Sequence, residues 1–229
     1  MKSEQRLLAL IPARSGSVRV PDKNAREFAG LSLIEIAVDG ALKSAKIDHV
    51  GLSTDSESYL KRASRAGLNE TYLRPENIAG PEATSAECVL DYLKWSSEHG
   101  GGEFTHVVLL QPTSPFRTSK DIDVAIDFWR QSGKPSLVSA VRMSPEPQFI
   151  VGEDPANNQL FRYSETDNSE LCVLDGALFI TPVEMVKDDG AFWNQDSALF
   201  KFDYPRFFDI DTQADFDAAS VLYSKETDN

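Results

Sequence analysis

Apolar residues recur along this chain with two periods. Short aliphatic and β-branched runs at 7–11, 49–54, 71–74 and 105–110 have the length and composition of strands. Between them, Ile34, Val38, Ala41 and Leu42 repeat at helical spacing. Thr84-x-x-Glu87 leads into Val89, Leu90 and Leu93 as a capping box leads into an amphipathic helix. A second box, Thr118-x-x-Asp121, opens a helix carrying Ile122, Ala125, Ile126 and Trp129. A third, Thr212 with Asp215, opens the last helix, to which Asp215 and Asp217 belong. This alternation predicts right-handed βαβ units, and so an α/β fold with a mainly parallel sheet flanked by helices.

After Ser136 the rhythm changes. Pieces at 137–141, 149–151, 160–163 and 177–181 read as strands, with the polar loop 153–158 among them, and predict a small antiparallel β excursion. We expect one domain over residues 1–229, with 140–175 forming a flap that helps close the active site and serves as a dimer arm. Gly100-Gly101-Gly102 marks a surface turn, the tail after Tyr223 is expected to fray, and no internal repeat is visible.

Composition narrows the partners. The 229 residues are 41% hydrophobic, without an apolar run near the roughly 18 residues that span a bilayer. Lys2 to Arg6 leads into a short strand-like run without a cleavage-site pattern, so a cytoplasmic protein with no membrane partner is expected. With 23 basic against 36 acidic residues the net charge is −13, which argues against nucleic acid or anionic lipid as the main partner. Cys88 and Cys172 are expected as buried, reduced thiols, neither of them a nucleophile, and His49, His99 and His106 lack metal-ligand spacing.

Against that acidic background, residues 11–26 stand out. Arg14, Arg19, Lys23 and Arg26 fall there with one acid, Asp22. Pro12 and Pro21 stiffen both ends, and Gly16 between Ser15 and Ser17 lets the backbone approach a ligand and present its N–H groups. Neither the P-loop pattern nor the three-glycine dinucleotide fingerprint can be written over Gly16. The segment therefore reads as a phosphate grip of another kind.

In open α/β sheets ligands collect beyond the carboxyl ends of the strands. The grip follows the first strand, Ser53-Thr54-Asp55 the second, Gln111-Pro112-Thr113-Ser114-Pro115 the run 107–110, and Asp209-Ile210-Asp211 the apolar Phe207-Phe208. These segments are expected to converge on one cleft. Asp209 and Asp211 alternate across Ile210, so in extended backbone both carboxylates face one way, roughly 6–7 Å apart. Beside a phosphate site they suit a shared magnesium ion, which prefers oxygen ligands.

With these landmarks on the page, IPARSGS…PDKN at 11–24, LSTDSE at 52–57, LRPENIA at 73–79, LLQPTSPFR at 109–117, DGALFI at 175–180 and DIDTQADF at 209–216, the chain resembles the acylneuraminate cytidylyltransferases, or CMP-sialic acid synthetases. The resemblance spans nearly the whole chain. It implies a Rossmann-like fold of the nucleotide-diphospho-sugar transferase type, a homodimer, and transfer of CMP from CTP to the anomeric hydroxyl of a nonulosonic 2-keto sugar acid, releasing pyrophosphate. It also implies that Arg14 and Lys23 bind the triphosphate and stabilise the departing pyrophosphate, that Ser17 and Asn24 hold the nucleotide, and that Arg74 and Ser85 contact cytidine. Gln111 falls at the sugar-acid pocket, and Asp209 and Asp211 match the Mg2+ ligands. Arg14, Lys23 and Asp211 are thus the expected catalytic residues.

Two departures bear on the site. Val18 stands where a lysine is usual, with Arg19 next to it as a substitute on the nucleotide side. Asp175, expected at the sugar-acid pocket, stands where an asparagine is common, and a carboxylate there repels an anionic acceptor unless paired or protonated. Residues 162–172 also lack the family's arginine-and-glutamine pattern. A 3-deoxy-manno-octulosonate cytidylyltransferase and a nucleotide-binding regulator without turnover are the alternative readings.

Overall fold

The computed structural model describes residues 5–17, 19–142, 151–154, 159–162, 171–203, 206 and 208–227. Strand β1 (Leu7–Pro12) carries no polar side chain, and its alternate residues bury in two different cores. Leu7, Ala9 and Ile11 face one side, Leu8 and Leu10 the other. A strand apolar on both faces needs helices on both faces. Each fully buried leucine contributes about 2 kcal/mol to folding.

The sheet has six strands in the order β2-β1-β3-β7-β4-β8. They are β2 (His49–Ser53), β3 (His106–Leu109), β4 (Leu137–Arg142), β7 (Cys172–Pro182) and β8 (Ala198–Lys201) around β1. Both β2 and β3 pair parallel to β1, on opposite sides of it. The strand order therefore reverses at β1, where Gly16 and Gln111 leave the carboxyl ends of β1 and β3.

Helices α1 (Leu33–Leu42), α2 (Glu57–Arg65) and α4 (Ser119–Ser132) put their apolar residues into the core under Leu7, Ala9 and Ile11. Helices α3 (Ser85–Glu98) and α5 (Val183–Asp189) cover the opposite face. Helix α6 (Gln213–Thr227) closes a third cluster, with Phe216 and Ala219 against Phe28, Leu33 and Phe116. All three expected capping boxes form: Thr84 with Glu87, Thr118 with Asp121, and Thr212 with Asp215.

Several expectations are corrected. Five strands share one direction, but β7 runs antiparallel between β3 and β4, so the sheet is mixed. The pieces at 137–141 and 177–181 thus belong to the main sheet. Only the hairpin of β5 (Val151–Asp154) and β6 (Gln159–Arg162) forms a separate two-stranded excursion. Residues 71–74 are no strand: burial alternates, with Tyr72 and Arg74 inside, yet the Arg74 amide meets only the Thr54 carbonyl, beyond the end of β2. Strand β8 was unanticipated, and the tail after Tyr223 stays helical to Thr227. Of the proposed flap, 143–150, 155–158 and 163–170 lie outside the described residues. Cys88 is buried, but Cys172 is only half-buried; both are free thiols.

Candidate nucleotide-binding site

The grip is tied down before it reaches the cleft. The Ala13 amide donates to the Ser53 carbonyl at 2.9 Å, extending the β1–β2 pairing past its last residue pair. The Ser15 amide and hydroxyl both donate to the Asp55 carboxylate, each at 2.8 Å. Further on, Asp22 sits in the left-handed region at φ 53°, a conformation that aspartate tolerates better than most residues. Its carbonyl accepts from the Ala25 and Arg26 amides, and its carboxylate from the Tyr59 hydroxyl at 2.6 Å. The backbone is thereby turned so that Lys23 and Asn24 enter the cleft.

Arg14, Ser17, Arg19, Lys23 and Asn24 line one cleft together with Arg74, Ser85 and Gln111. Every nucleotide-side residue expected from the sequence is in this group; Val18 lies outside the described residues. Arg26 turns away, donating to Gln213 Oε1 at 2.8 Å and stacking over the Phe216 ring. The first turn of α3 faces the same cleft through Ser85 and Cys88, with Ala83 just ahead of its cap, adding the positive end of a helix dipole.

The cleft is preset for an anion. Among the described residues no hydrogen bond or ion pair occupies the Arg14 guanidinium. Burial pushes the Lys23 ammonium down, opposed by the charges of Asp211 and Asp209. Lys23 Nζ donates to the Ile210 carbonyl at 2.5 Å. Asn24 is buried, its amide group donating to the Arg14 carbonyl at 3.3 Å, while its Oδ1 has no donor among the described residues. A buried acceptor left open in this way suits a hydroxyl of a bound ligand.

The acidic residues come to the rim of this cleft through the backbone. The Ile210 amide donates to the Thr113 carbonyl at 2.9 Å, clamping Asp209-Ile210-Asp211 to the loop after β3. Asp211 pairs with Arg19 at 2.9 Å and stands 4.0 Å from Lys23 Nζ. Loss of hydration beside the cleft pushes the Asp209 carboxyl up and the neighbouring Asp211 charge adds to this, with the Lys23 charge opposing. Two mutually repelling carboxylates beside an anion cleft are the oxygen donors that magnesium favours. No cluster of three or more acidic, histidine or cysteine side chains suited to a metal occurs among the described residues. Asp209 and Asp211 could therefore supply at most two side-chain ligands to a metal, which would need further oxygen ligands from elsewhere.

Asp175 does not line the cleft; it lies beneath it. Its Oδ1 accepts from the Ser139 hydroxyl and from the Ala177 amide at 2.9 Å, and burial pushes the carboxyl up. Arg117, also buried, donates through Nη1 to the Gln111 carbonyl at 3.2 Å and to the Ala177 carbonyl. Its guanidinium is pushed down to about 10 by burial, with the Asp175 charge opposing that shift. The carboxylate expected to repel an anionic acceptor is thus buried, with Oδ2 left without a hydrogen-bond partner among the described residues and the Arg117 charge partly offsetting it. Gly176, at φ 70°, passes so close to Gln111 that a Cβ there would lie 3.3 Å from Oε1. Asp55 and Arg117 had no assigned role from sequence, although both sit inside landmark motifs.

The sheet and its flanking helices have a fold shared with solved structures. The fold resembles that of a CMP:2-keto-3-deoxy-manno-octonic acid synthetase complexed with CTP, at TM-score 0.71 and 15% identity over 97% of this chain and 100% of that one. It also resembles 4-diphosphocytidyl-2C-methyl-D-erythritol synthase from Anaerococcus prevotii, at TM-score 0.69 and 14% identity over 96% of each chain. The fold is that of the Rossmann-like nucleotidyltransferases. A model of the cytidylyltransferase family matches residues 8–167, and the chain belongs to that family.

Curated relatives are similar over most of the chain. One is CMP-N,N'-diacetyllegionaminic acid synthase of Legionella pneumophila, 32% identical over 92% of this chain and 93% of that protein. Another is N-acylneuraminate cytidylyltransferase of Escherichia coli, 30% identical over 96% of this chain. A third is a pseudaminic acid cytidylyltransferase of Campylobacter jejuni, 26% identical over 94% of this chain and 95% of the relative. The chain spans about half the length of the Escherichia coli relative, 53%, and of one from Streptococcus agalactiae, 51%.

Proposed function

We propose that this protein transfers CMP from CTP to the anomeric hydroxyl of a sialic-acid-like nonulosonic 2-keto sugar acid and releases pyrophosphate. The observation that carries this reading is the convergence of Arg14, Ser17, Arg19, Lys23, Asn24, Arg74 and Ser85 on one cleft, with Gln111 on its acceptor side. The relatives named for legionaminic, neuraminic and pseudaminic acids support the acceptor class.

In this reading Arg14 and Lys23 hold the β- and γ-phosphates and meet the negative charge that develops on the leaving pyrophosphate. Lys23 is kept rigid for that task by the Ile210 carbonyl, and Arg14 enters with its guanidinium uncommitted. Ser17, Asn24, Arg74 and Ser85 fix the nucleotide so that its α-phosphorus is presented to the acceptor hydroxyl. Gln111 orients the sugar acid, and the Arg117–Asp175 arrangement keeps the floor beneath it close to electrically neutral. Asp209 and Asp211 would hold magnesium, which supplies positive charge to the phosphoryl oxygens and eases loss of the acceptor's hydroxyl proton. No histidine lines the cleft to act as a base.

The reading extends to a single functional unit over 1–229, to a homodimer joined through 140–175 and to a cytoplasmic setting. Val173 and Leu174, 48% and 39% exposed at the entry of β7, support a partner on that side. No helix among the described residues is long and apolar enough to cross a membrane. The test is pyrophosphate release with CTP, UTP and ATP against legionaminic, pseudaminic, N-acetylneuraminic and 3-deoxy-manno-octulosonic acids. CTP with one of the nine-carbon acids is expected to turn over. Turnover with the eight-carbon acid alone, or CTP binding with no turnover for any acid, overturns the assignment.

A further inference from the structure

Asp22 is the single acid among the cations of residues 11–26, and a carboxylate beside a phosphate site repels the ligand. The structure turns it away. Neither Asp22 nor Ser15 lines the cleft, although Arg14, Ser17, Arg19 and Lys23 around them do. Both are bound instead by the segment that leaves β2 and opens α2.

Ser15 is held by Asp55, two residues past the end of β2, which accepts the amide and the hydroxyl of the serine, each at 2.8 Å. Asp22 is held by Tyr59, in the first turn of α2, whose hydroxyl donates to Asp22 Oδ1 at 2.6 Å. Tyr59 is 1% exposed and belongs to the core that also holds Ala9 and Ile11, so its hydroxyl is presented from a fixed base. Burial above all, with the hydrogen bond to Asp22 and the charges of Asp22 and Asp55, pushes the phenol up, so it remains a donor. The bond matters at Asp22 because φ 53° is a left-handed conformation that an untethered chain adopts only at a cost. A Cβ at Gly16 would meet nothing within 4 Å among the described residues, so hydrogen bonds and not packing hold the chain there. Ordering a free loop costs conformational entropy, and a loop ordered on folding does not meet that cost again when the ligand binds. Arg74 takes its support elsewhere: Nε donates to Ser53 Oγ at 3.1 Å and Nη2 to the Ser53 carbonyl at 2.7 Å.

We propose that Asp55 and Tyr59 are positioning residues for the triphosphate, two tethers that fix Ser15 and Asp22 and so set Ser17, Arg19 and Lys23 in their phosphate-binding places before the ligand arrives. The inference rests on the nucleotide reading above. Neither residue lines the cleft. They act through the backbone of the grip, so their effect is confined to the phosphate half and leaves Arg74 as it is.

The test is calorimetry of the wild-type protein, Tyr59→Phe, Asp22→Ala, the double variant of these two, Asp22→Asn and Asp55→Ala, each with CTP and with inorganic tripolyphosphate. Tyr59→Phe keeps the ring in the core and removes only the donor. It is expected to weaken both ligands by one common factor of about three- to tenfold. Asp22→Asn keeps an acceptor oxygen and tolerates the left-handed backbone, so it should stay within about twofold of the wild-type protein. In the Asp22→Ala background Tyr59→Phe should have no further effect, because it has nothing left to hold. Asp55→Ala, which frees both Ser15 donors, should weaken both ligands at least as much as Tyr59→Phe. If CTP loses much more than tripolyphosphate in Tyr59→Phe and Asp55→Ala, the whole cleft is disturbed, the two residues are merely structural and the inference is overturned. Unchanged affinities in both variants, or full additivity of Tyr59→Phe with Asp22→Ala, overturn the inference alone. So does a wild-type protein that binds CTP but not tripolyphosphate, since its affinity then comes from the nucleoside. A wild-type protein that binds neither ligand overturns the nucleotide reading and the inference together.

Discussion

Arg19 and Asp211, 192 positions apart in sequence, meet at 2.9 Å across the mouth of the cleft. Their side chains are 68% and 47% exposed, so the pair is worth less than about 1 kcal/mol to folding. Arg19→Ala is therefore expected to leave stability in urea within about 0.5 kcal/mol. It should raise the dissociation constant for CTP about tenfold, with a shallower salt dependence, as one phosphate-facing cation is lost. Unchanged CTP affinity in calorimetry would remove Arg19 from the nucleotide site.

Asp211 carries a second expectation. Asp211→Asn keeps the size of the side chain but gives up half of the proposed magnesium site. Turnover should fall about 100-fold at saturating magnesium, the scale on which a lost electrostatic stabiliser is felt. Chelation of the wild-type protein should abolish pyrophosphate release, and added magnesium should restore it. Full turnover by Asp211→Asn with magnesium present would show that the carboxylate is dispensable.

Arg117 and Asp175 are both buried near the cleft and feel each other's charge without forming an ion pair. Arg117→Met removes the cation together with its hydrogen bonds to the Gln111 and Ala177 carbonyls, with an expected cost of about 1–3 kcal/mol. Adding Asp175→Asn should recover part of it, because the residue left behind is then neutral. Urea midpoints of the two single variants and the double variant decide this. Equal instability of Arg117→Met with and without Asp175→Asn means the two charges are not coupled.

His106 sets a pH dependence. Burial, helped by the Arg130 charge, pushes its imidazole from 6.5 down to about 4. Its ring stacks edge-on to Trp129, centroids 4.6 Å apart. Between pH 6.5 and 4 the unfolded chain binds a proton that the folded protein refuses, so stability rises with pH across that window and is lost as pH falls through it. The loss amounts to at most about 3 kcal/mol. His49 is pushed down by burial as well and adds to the same slope. Denaturation at pH 7 and pH 5 should show the drop, and His106→Gln should flatten it; an unaltered slope in that variant would exclude His106 as the source.

Gly51 has no room for a side chain. A Cβ there would lie 2.3 Å from both the Cζ and the hydroxyl of Tyr92, which Glu70 holds at 2.7 Å. Gly51→Ala should cost about 1–3 kcal/mol. In a Tyr92→Leu background the same change should cost less, a difference that thermal unfolding of the four proteins would register.

Much of this site is legible in the sequence because its parts are short and locally coded. The grip is one short segment in which four cations fall around two prolines, and all of those cations but Arg26 reach the cleft. The capping boxes name their helices outright. Residues 71–74 misled because Tyr72 and Arg74 alternate inward, as in a strand, while the ladder that defines a strand is long-range and carries no local signature. For the same reason the piece at 177–181 was recognised as a strand but not as an antiparallel member of the main sheet. Arg117 was overlooked because nothing in a surface-like Phe-Arg-Thr sequence announces a guanidinium with 4% exposure.

The reversed direction of β7 has an architectural consequence. Because the parallel strands leave the sheet at the cleft end, the chain supplies the proposed nucleotide wall on its way out of β1 and β2. Strand β7 instead enters the sheet there, bringing Asp175 and Gly176 with its first half. The two walls are thus fed by chain travelling in opposite senses and belong to separate stretches of gene. On the proposed function, insertions or deletions between β4 and β7 would remodel the acceptor wall while the coding sequence from β1 to α3 stays as it is, so one nucleotide-handling half would combine in evolution with many sugar-handling ones.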